Sequence, residues 1–170
     1  MNNMHTTYII CGGPGAGKTT YAKKLAFEHS AVLLDIDTAT ERLVRLALRE
    51  AGRDPDDRDS DYFKHTFRVP IYETLFDIAR ENIPFQEVVV VGPFTKELRD
   101  PEWSAKLSRS LGGPVEVHYV HCPPEERKRR LEERGNPRDL AKLRDWANYI
   151  QYYDESPPVF EHIMVNGSNL

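Results

Sequence analysis

Gly12-Gly13-Pro14-Gly15-Ala16-Gly17-Lys18-Thr19-Thr20 stands between a β-branched apolar run, Tyr8–Cys11, and a stretch of helical spacing, Lys18–His29. It satisfies Gly-x-x-x-x-Gly-Lys-[Ser/Thr], in the strand–loop–helix setting where that motif binds phosphate. Phosphate oxygens need a concave ring of backbone N–H donors, and glycine lets the chain come close with positive φ angles. Gly12, Gly15 and Gly17 meet this need, with Gly13, Pro14 and Ala16 completing the loop. Lys18 brings an ammonium to the outer phosphates and Thr19 offers a hydroxyl to Mg²⁺, while Thr20 lies in the first turn of a helix whose N-terminus favours anions. Gly12–Thr20 is therefore the expected nucleotide site, with ATP and Mg²⁺ as its ligands.

Outward from this loop, short β-branched runs alternate with helical stretches, which predicts parallel strands joined by crossover helices. The expected strands are Tyr8–Cys11, Ala31–Asp35, Glu87–Val91, Val115–Cys122 and His162–Asn166, and four of them read as nearly continuous apolar runs. That pattern belongs to a sheet covered on both faces, so the expected fold is a doubly wound α/β sheet. Six helices are expected, over Lys18–His29, Thr38–Ala51, Tyr62–Asn82, Pro101–Leu111, Pro124–Arg134 and Arg138–Tyr153. Asp54–Asp61, with five aspartates and Arg58, reads as a solvated, flexible loop.

The chain has 170 residues, 39% of them hydrophobic and 29% charged, enough apolar material for one packed domain over residues 1–170. The balance of 23 basic against 27 acidic residues offers no general attraction for nucleic acid or anionic membrane, so any polyanion must be gripped locally. The longest apolar run, Val88–Val91, is far too short to cross a bilayer, and Met1-Asn2-Asn3-Met4-His5 lacks the layout of a signal peptide. A cytoplasmic protein, monomeric or weakly dimeric, is expected. Cys11 and Cys122 end apolar strands and read as inert buried thiols. The six histidines are scattered without metal-ligand spacing.

Leu33-Leu34-Asp35-Ile36-Asp37 places two carboxylates where a strand leaves the sheet, the edge at which ligands bind in this architecture. In an extended chain both point to the same side. Phosphoryl transfer to a hydroxyl needs its attacking oxygen oriented and its proton accepted, and a metal needs hard oxygen donors. Asp37 is the candidate base and acceptor contact, Asp35 the outer-shell metal ligand. Alternatively Asp37 or Thr38 caps the following helix. Later, Arg127, Arg130 and Arg134 recur at three and four spacing before the break Gly135-Asn136-Pro137 and then Arg138. This reads as a hinged lid over about residues 123–140, whose guanidinium groups close on the triphosphate; a solvated helix face paired with Glu125, Glu126, Glu132 and Glu133 is the other reading.

These motifs resemble the P-loop kinases of small molecules and nucleotides, a group that includes shikimate and gluconate kinases, chloramphenicol phosphotransferase, zeta toxins and polynucleotide 5′-hydroxyl kinases. The resemblance implies a five-stranded parallel sheet of order 2-3-1-4-5 with a helical lid, and an acceptor-side helical region at about residues 38–82. The Asp35-x-Asp37 pair is similar to that of shikimate kinases. The resemblance further implies that Arg127 lies against adenine, that Arg130 and Arg134 act on the phosphates, with Arg138 a further nucleotide contact, and that Arg68, in Phe67-Arg68, holds an acceptor carboxylate. Glu73 departs from the shikimate kinase pattern by two residues, and Val91-Gly92-Pro93-Phe94-Thr95 lacks its glycine triplet. Gly92 is expected to let the acceptor approach the backbone, and Phe94 is either a pocket wall or core.

The expected activity is phosphoryl transfer from ATP to a hydroxyl of a small-molecule acceptor: a metabolite, nucleoside or antibiotic. A regulatory GTPase would need Asn-Lys-x-Asp and Asp-x-x-Gly, and neither occurs. A remodelling ATPase would need an acidic Walker B pair, and a nucleotide-binding interaction module would need no acceptor. A polynucleotide kinase shares every motif but wants a basic groove where Asp54–Asp61 stands, which disfavours nucleic acid and invites a cationic acceptor.

Overall fold

The computed structural model describes residues 5–152 and 156–170. Five strands, β1 (Thr7–Gly12), β2 (Val32–Asp35), β3 (Val88–Val91), β4 (Val115–His121) and β5 (Ile163–Asn166), form one parallel sheet in the order β2-β3-β1-β4-β5, as expected. Central β1 pairs with β3 through Thr7–Ile10 and with β4 through Thr7–Gly12, and all six of its residues are buried. Its side chains alternate between two cores. Ile9 and Cys11 join Leu48, Leu75, Val90 and Phe94 on one face, while Tyr8 and Ile10 join Ala22, Leu25 and Val89 on the other. This two-sided burial explains the unbroken apolar runs. Edge strand β5 is the exception, with Ile163 43% and Met164 53% exposed. Cys11 and Cys122 are buried free thiols, and burial pushes Cys11 up to about 12.

The helices are α1 (Lys18–His29), α2 (Ile36–Glu50), α3 (Asp61–Thr66), α4 (Arg68–Asn82), α5 (Trp103–Leu111), α6 (Pro124–Arg134), α7 (Leu140–Arg144) and α8 (Trp146–Tyr152). Helix α2 begins two residues earlier than expected, because the Asp35 carboxylate accepts a hydrogen bond from the Asp37 amide and takes the cap itself. The single helix expected over Tyr62–Asn82 is two helices meeting at Phe67 (φ −108°, ψ −29°). Pro70 has no N–H to donate to the Thr66 carbonyl, so the helical ladder is interrupted there. The helix expected over Arg138–Tyr153 is a short 3₁₀ turn at Pro137–Asp139 followed by α7 and α8, parted by the non-helical Asp145 (φ −137°, ψ 61°). Tyr153 and the N-terminal Met1–Met4 lie outside the described residues.

The acidic segment is not a loose solvated loop. Asp57 accepts the Ser60 amide at 3.0 Å and the Asp59 amide at 3.2 Å, Ser60 caps α3, and Asp56 pairs with Arg45. Arg58 meets Glu41 at 3.0 Å, and Lys142 meets Asp59 at 2.7 Å.

Phe94 is core. Its ring is fully buried against Tyr72 (centroids 4.8 Å apart), Trp103 (5.3 Å) and Phe76 (5.8 Å). A side chain on Gly92 would place Cβ 2.8 Å from that ring, so Gly92 makes room for Phe94. Truncating Phe94 to alanine should therefore lower the urea midpoint by an amount worth about 3–5 kcal/mol, with the nucleotide affinity of the folded fraction unchanged. A loss of affinity without a loss of stability would contradict the core assignment.

Candidate functional site

Strands β1, β2 and β3 end beside one another, and the chain leaving their carboxyl ends lines a cavity of about 1090 Å³. The phosphate-loop geometry comes from two backbone facts. Gly12 (φ 139°) packs so tightly on β4 that a Cβ would lie 2.3 Å from the Val120 carbonyl oxygen, and Gly17 (φ 102°) is the left-handed residue that starts α1. Gly12, Pro14, Gly15, Gly17, Lys18, Thr19 and Thr20 line the cavity. Gly13 and Ala16 face instead a small gap beneath the loop, and Ala16 is 1% exposed.

Lys18 donates from Nζ to the Gly13 carbonyl at 2.8 Å. Burial pulls its pKa down to about 8, against the charges of Asp37 and Asp35, which favour the ammonium. Thr19 Oγ1 donates to one carboxylate oxygen of Asp35 at 2.7 Å, while the other oxygen accepts the Asp37 amide at 2.9 Å. Asp35, 7% exposed, thus has both oxygens engaged and ties the loop's hydroxyl to the start of α2. Among the described residues no three His, Cys, Asp or Glu side chains gather to hold a metal. The donor set of Thr19 with Asp35 behind it fits a Mg²⁺ ion carried mostly by phosphate and water, since that ion keeps most of its waters and needs few protein ligands.

Asp37 follows the strand end, as expected, but it lies in the first turn of α2 rather than in extended chain, and it lines the cavity. Its carboxylate pairs with Arg138, which also reaches Glu41 at 3.4 Å. Burial pushes the Asp37 pKa up, but the Arg138 hydrogen bond and charge, with the charges of Lys18 and Arg134, outweigh it and hold the carboxyl below the usual range. Burial opposes the Arg138 charge as well, and Asp37, Glu41 and Asp139 together raise its pKa.

The arginines of α6 diverge. Arg130 and Arg134 line the cavity with Arg138. Arg134 donates to the buried Asp139 at 2.6 and 3.0 Å, and Arg130 donates to Glu126 at 2.5 Å and to the Gly167 carbonyl at 3.0 Å. Arg127 is 1% exposed and does not line the cavity. Its guanidinium lies under the loop, 3.5 Å from the Pro14 carbonyl and 5.5 Å from the Trp146 ring. The expected contact of Arg127 with adenine is therefore corrected to a support beneath the loop. Gly92 and Phe94, expected at the acceptor, also stand outside the cavity, as packing requires. Arg68 lines it. Glu41, Lys64, Tyr72, Lys96 and Lys142 line it too and were not singled out in the sequence. Glu41 stands one helical turn after Asp37, and Lys64 and Tyr72 one turn either side of Arg68, a spacing that could have found them. The one aspartate of the acidic segment that lines the cavity, Asp59, is paired with Lys142, and Asp56 and Asp57 are engaged as described, so the segment does not present free carboxylates to a cationic acceptor there.

A parallel sheet of order 2-3-1-4-5 with a glycine loop and lysine after its central strand defines the P-loop class of α/β proteins. Over residues 8–156 the chain matches the family described as an AAA domain, and it belongs to that family. A shikimate kinase of Enterococcus faecalis (strain ATCC 700802 / V583) is 27% identical over 156 residues, covering 90% of this chain and 82% of that protein. A sugar kinase structure from Janibacter sp. HTCC2649 superposes with a TM-score of 0.61 at 16% identity, over 98% of this chain and 86% of the other. A gluconokinase from Sinorhizobium meliloti 1021 does so with a TM-score of 0.56 at 14% identity, over 99% and 85%. The two structures share the fold. No helix of the described residues is long and apolar enough to cross a membrane.

With Lys18 at about 8, part of the population carries a neutral amine above that pH. Phosphate oxygens favour the ammonium, so its pKa must rise on binding. Calorimetry of ATP binding at pH 8.5 in two buffers of different ionisation enthalpy should show net proton uptake; proton release or none would mean that Lys18 is already charged in the free protein.

Proposed function

We propose that the protein transfers the γ-phosphoryl group of ATP to a hydroxyl of a small molecule. The observation that carries this reading is the convergence of Lys18, Thr19 and Asp37 on one cavity, with Asp35 linking the last two. The shikimate kinase relative supports it. Bound Mg²⁺ would neutralise charge on the phosphates, held by Thr19 with Asp35 behind it. Lys18 leaves the Gly13 carbonyl for the β and γ phosphates. Arg130 and Arg134, already facing the cavity, offset charge that develops on the transferred group. Asp37 accepts the acceptor's hydroxyl proton in place of the Arg138 N–H it now holds. The acceptor oxygen bonds to the γ-phosphorus as the bond from that phosphorus to the bridging oxygen breaks, and ADP departs with the electron pair. Asp37 is ionised at neutral pH, and exchanging the Arg138 contact that holds its pKa down for the acceptor hydroxyl would make it a stronger base.

An ATPase or nucleotide-binding module without an acceptor is the second reading, favoured by the AAA domain family and by the Arg138 contact that occupies Asp37. Acceptor-stimulated ADP release separates the two. The screen covers metabolites, nucleosides, antibiotics and 5′-hydroxyl oligonucleotides, with Lys18→Ala as blank. Asp37→Asn should lower kcat by about 10²–10⁴ while nucleotide affinity is kept; near-normal turnover would remove Asp37 as base. Arg138→Ala should move the acid limb of the pH–rate profile upward, because the carboxyl it holds down returns toward the ordinary range. An unmoved limb would show that the limb is not Asp37's.

A further inference from the structure

We infer that the acceptor side of the cavity holds a second anion site, built by Lys64, Arg68 and Lys96, and that the acceptor already carries a phosphate monoester. The acceptor's class rests on the phosphoryl-transfer reading above; the anion site itself does not.

Phe67 joins α3 to α4 in the right-handed region, so Lys64, Arg68 and Tyr72 follow one another at intervals of four, and all three line the cavity. The Tyr72 ring lies 4.8 Å from that of Phe94, which brings this row beside the chain leaving β3, where Thr95 and Lys96 line the same cavity. Strand β3 is paired with β2, whose exit carries Asp37. The site therefore neighbours the carboxylate at the β2–β3 end of the sheet.

Its charges are uncompensated. Elsewhere in the cavity Arg58, Arg130, Arg134, Arg138 and Lys142 each have a carboxylate partner. Among the described residues Lys64, Arg68 and Lys96 have none, and no other polar or ring contact engages them. Three like charges gathered on one wall repel one another until an anion enters. Arg68 alone could fork a single carboxylate. An arginine fork with two ammonium groups suits a group with two negative charges and three terminal oxygens, which is a phosphate monoester. The acidic segment that argued for a cationic acceptor does not oppose this, because Asp59, its aspartate at the cavity, is paired with Lys142.

The test fills the loop with a non-hydrolysable ATP analogue and Mg²⁺, so that added phosphates cannot bind there. The full chain is then titrated with ribose 5-phosphate, glucose 6-phosphate and AMP, with ribose, glucose and adenosine, and with gluconate and shikimate as singly charged acids. The monophosphates should bind at least about ten times tighter than either other set. Arg68→Ala should remove that preference, Lys64→Ala and Lys96→Ala should each weaken it, and Arg68→Lys should recover part of it, with affinity for the ATP analogue changed less than about two-fold. Equal or tighter binding of the acids or the uncharged compounds, or no binding of any monophosphate, overturns the site. The same panel is run for ADP release with ATP, where the variants should raise the KM of the phosphorylated acceptor and leave kcat. Selective monophosphate binding that Arg68→Ala abolishes, without stimulated ADP release, upholds the anion site and overturns the phosphoryl-transfer reading.

Discussion

The contact between Gly12 and the Val120 carbonyl is the constraint on which the site depends. Strand β1 is held on both edges by β3 and β4, so its end cannot shift without breaking two ladders. At that end the backbone of β4 leaves no space for a side chain, and the chain must turn at once in a conformation that favours glycine. The turn closes five residues later at Gly17, where α1 begins, and the helix carries Lys18 and Thr19 out over the sheet edge. Strand β2, on the far side of β3, delivers Asp35 to within a hydrogen bond of Thr19. The positions of lysine, hydroxyl and carboxylate are therefore consequences of strand order and of one missing Cβ.

Much of this was legible because it is local or periodic. The loop motif and the strand runs follow from spacing and from two-sided burial, while the sheet order was implied by the family resemblance that the motif carries. What escaped was decided by single bonds at element boundaries. The start of α2 depends on which of three neighbouring side chains takes the cap, and Asp35 took it with the oxygen not used by Thr19. The break at Phe67 follows from a missing N–H at Pro70, a signal present in the sequence but masked by the strong apolar spacing on either side.

The charged residues were harder to read, because their partners are remote in the chain. Arg138 meets Asp37 across 101 residues, and Lys142 meets Asp59 across 83. Composition shows five aspartates in a short segment, but only the folded chain shows that an arginine of α2 and a lysine of α7 stand opposite two of them. Arg127 illustrates the opposite error. Its spacing with Arg130 and Arg134 suggested one shared face, yet it turns beneath the glycine loop and stacks near Trp146 while they face the cleft. Arg127 stands about two turns, or about 10 Å, before Arg134 along the helix, so the same side that reaches the cleft at one end lies beneath the loop at the other.

The segment from α6 to α7 reaches the α2–α3 side through Arg138 with Asp37 and Glu41, and through Lys142 with Asp59. These ties are electrostatic and partly open to water, with Asp37 and Asp59 about half exposed. At physiological ionic strength the screening length is about 8 Å, and it shortens to about 3 Å in molar salt. Dissolved electrolyte therefore acts on the two walls of the cleft as a loosening agent, while the apolar cores behind them, which gain nothing from ion pairing, are left intact.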